Sequence, residues 1–489
     1  MSEFYTTNDH FVLVPAIMLA LFGCAILLFD FLLFPDPKDR KWLLGFFIGG
    51  LAFTGYGLWR QQAFLTANSL SEITALNGSV TMDGFGLFFN WIFIVASLIV
   101  AIVSYKYLDI EGEHHGEYYA LILFAQCGMF FLATGTDLVT LFIGLELMAL
   151  CFYVMVGFLR GEKRSNEAAL KYLLLGAFSS GFLAYGFSLL YGLSGSTKLS
   201  AITAALAGRD PWDPIVFFAM ATTSIGLLFK ISAVPFHMWA PDAYEGAPTT
   251  VTAYLSVASK AASFALLLRL FLGPFESLRP TWEPLLVVIA IATMTVGNLA
   301  AISQTNIKRL LAYSSISHAG YMLLGLIAGN ETGIKGIAVY VLVYAFMNLG
   351  AFSVVVALRR QDLIGEDIED FAGLAHRSPG YALLMLVFLL SLAGIPPTAG
   401  FLGKYYIFLA LMETGHYLLA VLATLYVAVA VYYYFRIVRS MFIGEQVAKA
   451  PLASSLGLRV ALGVSGALTL AIGIYPEPFL RLAQTSILR

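Results

Sequence analysis

Four lysines stand where hydrocarbon is expected. Lys171, Lys230, Lys260 and Lys404 each fall inside an apolar run, and so does one acid, Glu146, in Gly-Leu-Glu-Leu-Met-Ala-Leu. An ionisable group near the middle of a bilayer costs roughly 2.5–3.5 kcal/mol on insertion scales, so each one calls for a function or a partner. All four cations are lysines, which can give up a proton when desolvated, whereas an arginine stays charged. That choice suits a group that gains and loses a proton. A carboxylate at the same depth must neutralise or find a cation, and Lys230 is the expected partner of Glu146. Prolines accompany two of the lysines: Pro235 follows Lys230 in Pro-Phe-His-Met-Trp-Ala-Pro, and Pro396 and Pro397 precede Lys404 in Ala-Gly-Ile-Pro-Pro-Thr-Ala-Gly-Phe-Leu-Gly-Lys. Proline interrupts a helix, and a broken backbone at membrane depth is tolerated only where protein or water satisfies it. Titratable cations beside broken helices point to an ion-handling site. His237 lies in the first break and His318 in a later apolar run. Each reads either as a proton relay, since histidine titrates near neutral pH, or as a core residue bonding polar backbone.

The elements that must position these residues are membrane helices. The chain has 489 residues, 59% of them hydrophobic and 12% charged, and its mean hydropathy is +0.82. Such a composition excludes an ordinary soluble domain. A net charge of −2 without a basic cluster gives no support to nucleic-acid binding. Apolar runs long enough to cross a bilayer fall near 11–34, 41–59, 85–105, 117–134, 137–159, 167–192, 214–239, 249–271, 284–303, 307–328, 333–358, 380–411, 416–440 and 457–480. The expected fold is an all-α polytopic membrane protein of about fourteen transmembrane helices. Its proline breaks fall in the seventh and twelfth runs, a spacing of five, which sets successive copies in opposite orientation and suggests two inverted repeats around a midplane site. The expected division of the single 1–489 membrane domain is helices 1–3 over 1–110, a first five-helix repeat over 117–271, a second over 284–440, and a C-terminal helix over 457–480.

Of the 28 Lys and Arg, sixteen fall in loops or at run ends on one side and eight on the other when the N-terminus is placed outside. The positive-inside rule then puts both termini outside and the 35–41, 160–166 and 359–379 loops inside. Trp42, Trp59, Trp212, Trp239 and Trp282 lie near run ends, where aromatic belts form. Cys24, Cys127 and Cys151 sit in apolar runs without CxxC spacing, so neither a disulfide nor a metal site is expected. The N-terminus lacks a basic leader and a cleavage pattern, and its first apolar run reads as a retained helix. Duller readings exist for several residues. Lys171 is near enough to a loop to snorkel, Glu146 could serve a structural ion pair, the prolines could only kink their helices, and Tyr432, Tyr433 and Tyr434 read as interface packing.

Taken together, Glu146 in a fifth run, Lys230 before Pro-Phe-His-Met-Trp-Ala-Pro-Asp-Ala-Tyr-Glu-Gly-Ala-Pro, Lys260 in the eighth run and the Pro396–Lys404 segment in the twelfth resemble the antiporter-like subunits of respiratory complex I. The resemblance covers essentially the whole chain. Within that family the chain is most similar to the group called subunit N of bacterial NADH-quinone oxidoreductases. It stops after about fourteen runs without a lateral helix, it has lysine at 404 where subunit M is expected to have glutamate, and it carries Phe371-Ala-Gly-Leu-Ala-His-Arg-Ser-Pro-Gly-Tyr. Subunits of multisubunit Na⁺/H⁺ antiporters share much of the pattern and are the alternative. The resemblance implies a proton-translocating subunit without a redox site or cofactor of its own. Flavin, iron–sulfur clusters and quinone would then belong to partner subunits, and other membrane-arm subunits, including neighbouring antiporter-like ones, would be its partners in a bacterial inner (plasma) membrane. It further implies that Glu146 and Lys230 form a charge pair, that Lys260, with His237, is a central relay, and that Lys404 faces the outer exit. A solute transporter, a structural scaffold and a quinone-site subunit are weaker readings, because the intramembrane polar groups are mainly titratable and no helical spacing marks a quinone site.

Overall fold

A computed structural model describes residues 6–33, 40–359, 365–445, 452 and 454–484. Both chain ends, the 34–39 loop and part of the 359–379 loop lie outside the described residues. Among those described, twelve helices are long and apolar enough to cross a membrane. The chain folds into α1 (Thr7–Leu32), α2 (Lys41–Ala67), a hairpin of β1 (Glu72–Ala75) and β2 (Val80–Asp83), α3 (Gly84–Glu111), α4 (Gly116–Thr134), α5 (Leu138–Val156) and α6 (Lys163–Ser194). It continues through α7 (Pro214–Lys230), α8 (Trp239–Gly246), α9 (Thr249–Phe271), α10 (Arg279–Ile302), α11 (Ile307–Ala328) and α12 (Glu331–Leu358). The last helices are α13 (Pro379–Ala393), α14 (Ala399–Glu413), α15 (Tyr417–Ile443), α16 (Leu456–Ile474) and α17 (Glu477–Gln484). α9 contains a π-helical stretch, Leu255–Ser259, immediately before Lys260.

Local chemistry sets the helix ends. Asp83, Asp137, Asp213, Asn306 and Asn330 accept first-turn N–H groups of α3, α5, α7, α11 and α12, supplying partners for donors that a helix start leaves free. The expected runs 214–239 and 380–411 are each two helices. In the first, helical structure stops at Lys230 and resumes at Trp239; in the second, it stops at Ala393, where Gly394 adopts φ +85°, and resumes at Ala399. The run 457–480 is also divided, a correction to the single C-terminal helix. α16 ends at Ile474, and Pro476, which disfavours helix in the residue before it, separates it from α17, whose Leu480 and Ala483 are buried while Arg481 pairs with Glu477 on the exposed side.

Residues of α9, α11 and α12 are buried along nearly their whole lengths, so these helices form the centre. α10 packs on α11, α4 on α5, α6 on α7 and α14 on α12 around them, while α1, α2, α6, α15 and α16 present many exposed apolar side chains, as a membrane periphery requires. The aromatic-belt expectation holds for position only in part. Trp42, Trp59 and Trp212 are exposed, but Trp239 and Trp282 are buried and donate their indole N–H groups to the carbonyls of Phe229 and Phe275 at 2.9 and 2.7 Å. The same two carbonyls also accept the backbone N–H groups of Ser232 and Leu278, each at 3.0 Å, so each indole adds a second donor to a turn inside the protein.

Candidate functional site

Glu146 and Tyr153 lie seven residues apart on α5, on one face of the helix. The expected direct pair between Glu146 and Lys230 does not form. Instead, the Ser180 hydroxyl of α6 donates to Glu146 Oε1, and Lys230 Nζ, at the last residue of α7, donates to the Tyr153 hydroxyl at 3.5 Å. Nζ also lies 5.8 Å from the centre of the Tyr153 ring, close enough for a cation–π contribution. The side-chain oxygen that meets Lys230 is thus a tyrosine hydroxyl and not a carboxylate. That hydroxyl fits against Gly176 of α6, where a Cβ would collide with it. Glu146 makes no ion pair among the described residues, so any action of its carboxylate on Lys230 is through space and not by contact. In the break that follows, Val234 N–H donates to Thr293 Oγ1 of α10 at 3.0 Å, while His237 is half-buried and its Nδ1 has no partner among the described residues.

One face of α11 joins the other two lysines. Lys260 Nζ donates to both the backbone oxygen and the hydroxyl of Ser315, at 2.6 and 2.5 Å, and the Tyr344 hydroxyl of α12 donates to the same Ser315 Oγ at 2.9 Å. One turn along, buried His318 bonds the Tyr340 hydroxyl through Nδ1 at 2.6 Å and the Tyr434 hydroxyl through Nε2 at 3.3 Å. Tyr434, on α15, also shares a 2.5 Å bond with Ser314. A further turn brings Tyr321, whose ring centre lies 4.9 Å from Lys404 Nζ. Lys404 donates to the carbonyls of Leu392 and Ala393 at 3.1 and 2.8 Å, so the cation caps the broken end of α13, where the helix dipole favours positive charge. A Cβ on Gly394 would stand 2.8 Å from Lys404 Cδ. That glycine supplies both the left-handed turn and the space the lysine occupies.

The remaining buried cations are of a different kind. Arg269, expected at the outer end of a run, is buried and donates through Nη2 to both carboxylate oxygens of Asp83 at 2.9 and 3.0 Å and through Nε to Ala133 O at 2.6 Å. Lys308, expected on the inner side, is buried and pairs with Glu366 at 2.8 Å, also reaching Ala247 O at 2.7 Å. The expectation that buried cations are lysines alone is therefore corrected, since Arg269 is one. Lys171 is not on the buried axis. It is about half exposed and pairs with Glu167 at 2.7 Å and Asp242 at 3.1 Å, within a partly buried cluster that also ties Arg309 to Asp242 and Glu245. Lys230, Lys260 and Lys404, by contrast, are held by neutral oxygens only.

Residues 135–430 match the family described as NADH:quinone oxidoreductase/Mrp antiporter, transmembrane. The chain is 76% identical, across its whole length and 99% of the relative, to NADH-quinone oxidoreductase subunit N 2 of Solibacter usitatus (strain Ellin6076). It is 54% identical over 98% of its length, and 96% of the relative, to subunit N 1 of Koribacter versatilis (strain Ellin345). The chain belongs to the subunit N family of NADH-quinone oxidoreductases. It also superposes on a chain of respiratory complex I from Thermus thermophilus solved with bound aureothin, with a TM-score of 0.79 and 32% identity over 96% of this chain and 99% of that one. A chain of the Mrp complex from Dietzia sp. DQ12-45-1b shares the fold, with a TM-score of 0.81 and 21% identity over 98% and 97% of the two chains. Between the two family readings considered from sequence, the high identities fall on the NADH-quinone oxidoreductase side, and the chain is of the kind that forms a membrane subunit of that oxidoreductase.

Several members of the polar axis escaped the sequence reading. Tyr433 and Tyr434 are buried, with Tyr433 reaching Asn298 at 3.3 Å, while Tyr432 is exposed; only the last of the three fits interface packing. Tyr340, Tyr344 and Asn348 repeat at intervals of four on α12, which places them on one face. Asn348 donates to Ser256 of α9 at 2.7 Å. That spacing, together with Ser314, Ser315, Ser317 and His318 in one apolar helix, was the available signal.

Proposed function

We propose that this chain carries protons across the membrane through Lys230, Lys260, His318 and Lys404, as a subunit of a proton-pumping NADH-quinone oxidoreductase whose electron transfer occurs in partner chains. The observation that carries this reading is the difference between the two classes of buried cation. A carbonyl or hydroxyl oxygen can accept from a lysine in either protonation state, so Lys230, Lys260 and Lys404 can lose a proton without stranding a buried carboxylate. Arg269 and Lys308 are each matched to an acid, and discharging them would leave that acid unpaired. The hydroxyls of Tyr153, Tyr344, Tyr340 and Tyr434 can donate and accept, so they can pass a proton between the titrating groups. Ser232 Oγ and His237 Nδ1, both in the first break, are buried without a protein partner among the described residues. Such groups mark positions that water completes, and water there would connect the Lys230 end of the axis to the surface.

In this reading Glu146 sets the charge at Lys230 through space, and a change at Glu146 starts proton transfer towards Lys260. Lys404 is the terminal group, on the side of the exit. The two breaks, five crossings apart, support the inverted-repeat arrangement. The partners are the other membrane-arm subunits of the complex, and the site of action is the bacterial inner membrane with both termini outside. Cysteine labelling in intact cells tests that orientation: an external reagent should reach cysteines placed at positions 2 and 489 and spare one at 163. Proton uptake by proteoliposomes containing the whole complex tests the function itself. Replacing Lys404 by Met should abolish redox-driven uptake by this subunit's route while the complex still co-purifies with its flavin and iron–sulfur proteins. Undiminished pumping in that variant would refute the assignment.

A further inference from the structure

A cavity of about 830 Å³ lies away from the lysine axis, bounded by the ends of α2, the β-hairpin, α3, α12, α16 and α17. Its volume is within the roughly 300–1,000 Å³ of small-molecule sites. It descends along α3 from Gly84 to Val95, a length of about 16 Å at ~1.5 Å per residue. That is close to half of a hydrocarbon core about 30 Å thick, the reach of one leaflet. The deep walls are apolar, with Phe88, Trp91 and Val95 facing Leu342 and Phe346 across the space and Leu468 closing one side. The mouth is polar. Thr66, Ser69, Ser71 and Gln484 ring it, and Glu72 stands there exposed with no ion-pair partner among the described residues. Below the rim, Arg269, which donates Nε to Ala133 and Nη2 to Asp83, lines the cavity. α17 lies over the same edge, with Phe479 and Leu482 lining the cavity and the Glu477–Arg481 pair turned outward, as an interfacial helix would.

We propose that this cavity binds one zwitterionic phospholipid with a primary ammonium headgroup. An acyl chain fills the apolar slot between α3 and α12, the phosphate accepts from Arg269 and the rim hydroxyls, and the ammonium pairs with Glu72. The charges decide between lipid classes. With Asp83 neutralising Arg269, the described residues that line the mouth keep the single negative charge of Glu72, which attracts an ammonium and disfavours a purely anionic headgroup.

The test uses the full chain in detergent micelles supplied with equal phosphatidylethanolamine and phosphatidylglycerol, followed by native mass spectrometry through stepwise delipidation. One phosphatidylethanolamine should be retained after bulk lipid is removed. Ala345→Phe, which fills the slot, should abolish retention, and Thr66→Trp, at the exposed rim, should do the same without disturbing the packed interior. Glu72→Gln should lower the preference for phosphatidylethanolamine over phosphatidylglycerol by roughly two- to fivefold, the worth of an exposed ion pair. Lipid retention unaffected by both blocking variants would overturn the site, and an unchanged preference in Glu72→Gln would overturn the headgroup assignment. A photo-reactive amino acid at position 66 that cross-links a polypeptide instead of lipid in native membranes would also overturn it.

Discussion

Replacing Asp83 by Asn isolates the value of the buried pair it makes with Arg269. Asparagine caps a helix as well as aspartate does, so the bond to Gly86 N–H, 2.7 Å in the native chain, should survive. The charge does not. Arg269 is left cationic with a side chain 6% exposed beside a partner position 16% exposed, and stranding one member of a buried pair costs about 3–5 kcal/mol. The partial exposure at Asp83 argues for the lower end, about 3 kcal/mol, or roughly a hundredfold in the folding equilibrium at about 1.4 kcal/mol per decade. Arg269→Met should cost a similar amount, because Asp83 is then the unpaired charge and the bond to Ala133 O is lost. The double variant Asp83→Asn, Arg269→Met strands no charge and should be more stable than either single variant. Equilibrium unfolding of the purified chain in mixed micelles of rising sodium dodecyl sulfate content, followed by the fluorescence of its six tryptophans, measures all three. A double variant destabilised by the sum of the singles, or an Asp83→Asn chain as stable as wild type, would falsify the view that cations matched to carboxylates in this fold are structural.

Glu146→Gln should leave the complex assembled and lower redox-coupled proton pumping at least several-fold, with Glu146→Asp milder; paired measurements of quinone reduction and pumping check this, and full activity in the glutamine variant would remove Glu146 from the path. Gly394→Ala should impair pumping while sparing assembly, because the new methyl must displace Lys404 from the α13 carbonyls and the left-handed turn costs a further 1 kcal/mol or so; a wild-type rate would show that Lys404 does not act from that position. Glu366→Gln should reduce the amount of folded chain in the membrane by stranding Lys308, a loss of about 3 kcal/mol, and quantitative immunoblotting would detect its failure to do so.

The sequence displayed the intramembrane lysines and the broken helices because each violates what a lipid-facing helix tolerates. Helix bounds were closest where a cap adjoins the apolar run. The runs 249–271 and 307–328 match α9 and α11 end to end, with Pro248 and Asn306 immediately before them. Side-chain partners were less visible. Tyr153 takes the place assigned to Glu146 because α6 offers Gly176 where its hydroxyl enters, a three-helix coincidence that no spacing along one helix encodes. Arg269 looked like a run-end cation because it falls in the last turn of an apolar run, and its acid is 186 residues away. Lys308 stands in the first turn of α11, yet Glu366, reached through a different loop, follows it into the interior. Hydropathy locates the apolar cylinders, whereas these contacts arise from how the cylinders are arranged.

The most direct test of the central claim is charge-conserving replacement of the middle lysine. At Lys260 the account requires a proton that leaves and returns, so Lys260→Arg should be as defective as Lys260→Ala in both proton pumping and quinone reduction, since blocking the path stalls electron flow coupled to it. Assembly should be normal, and reduction of a water-soluble acceptor by the peripheral electron-transfer subunits should be intact. A Lys260→Arg complex that pumps at the wild-type rate would show that the residue supplies only fixed positive charge against Ser315, and the distinction between relay and structural cations would fail.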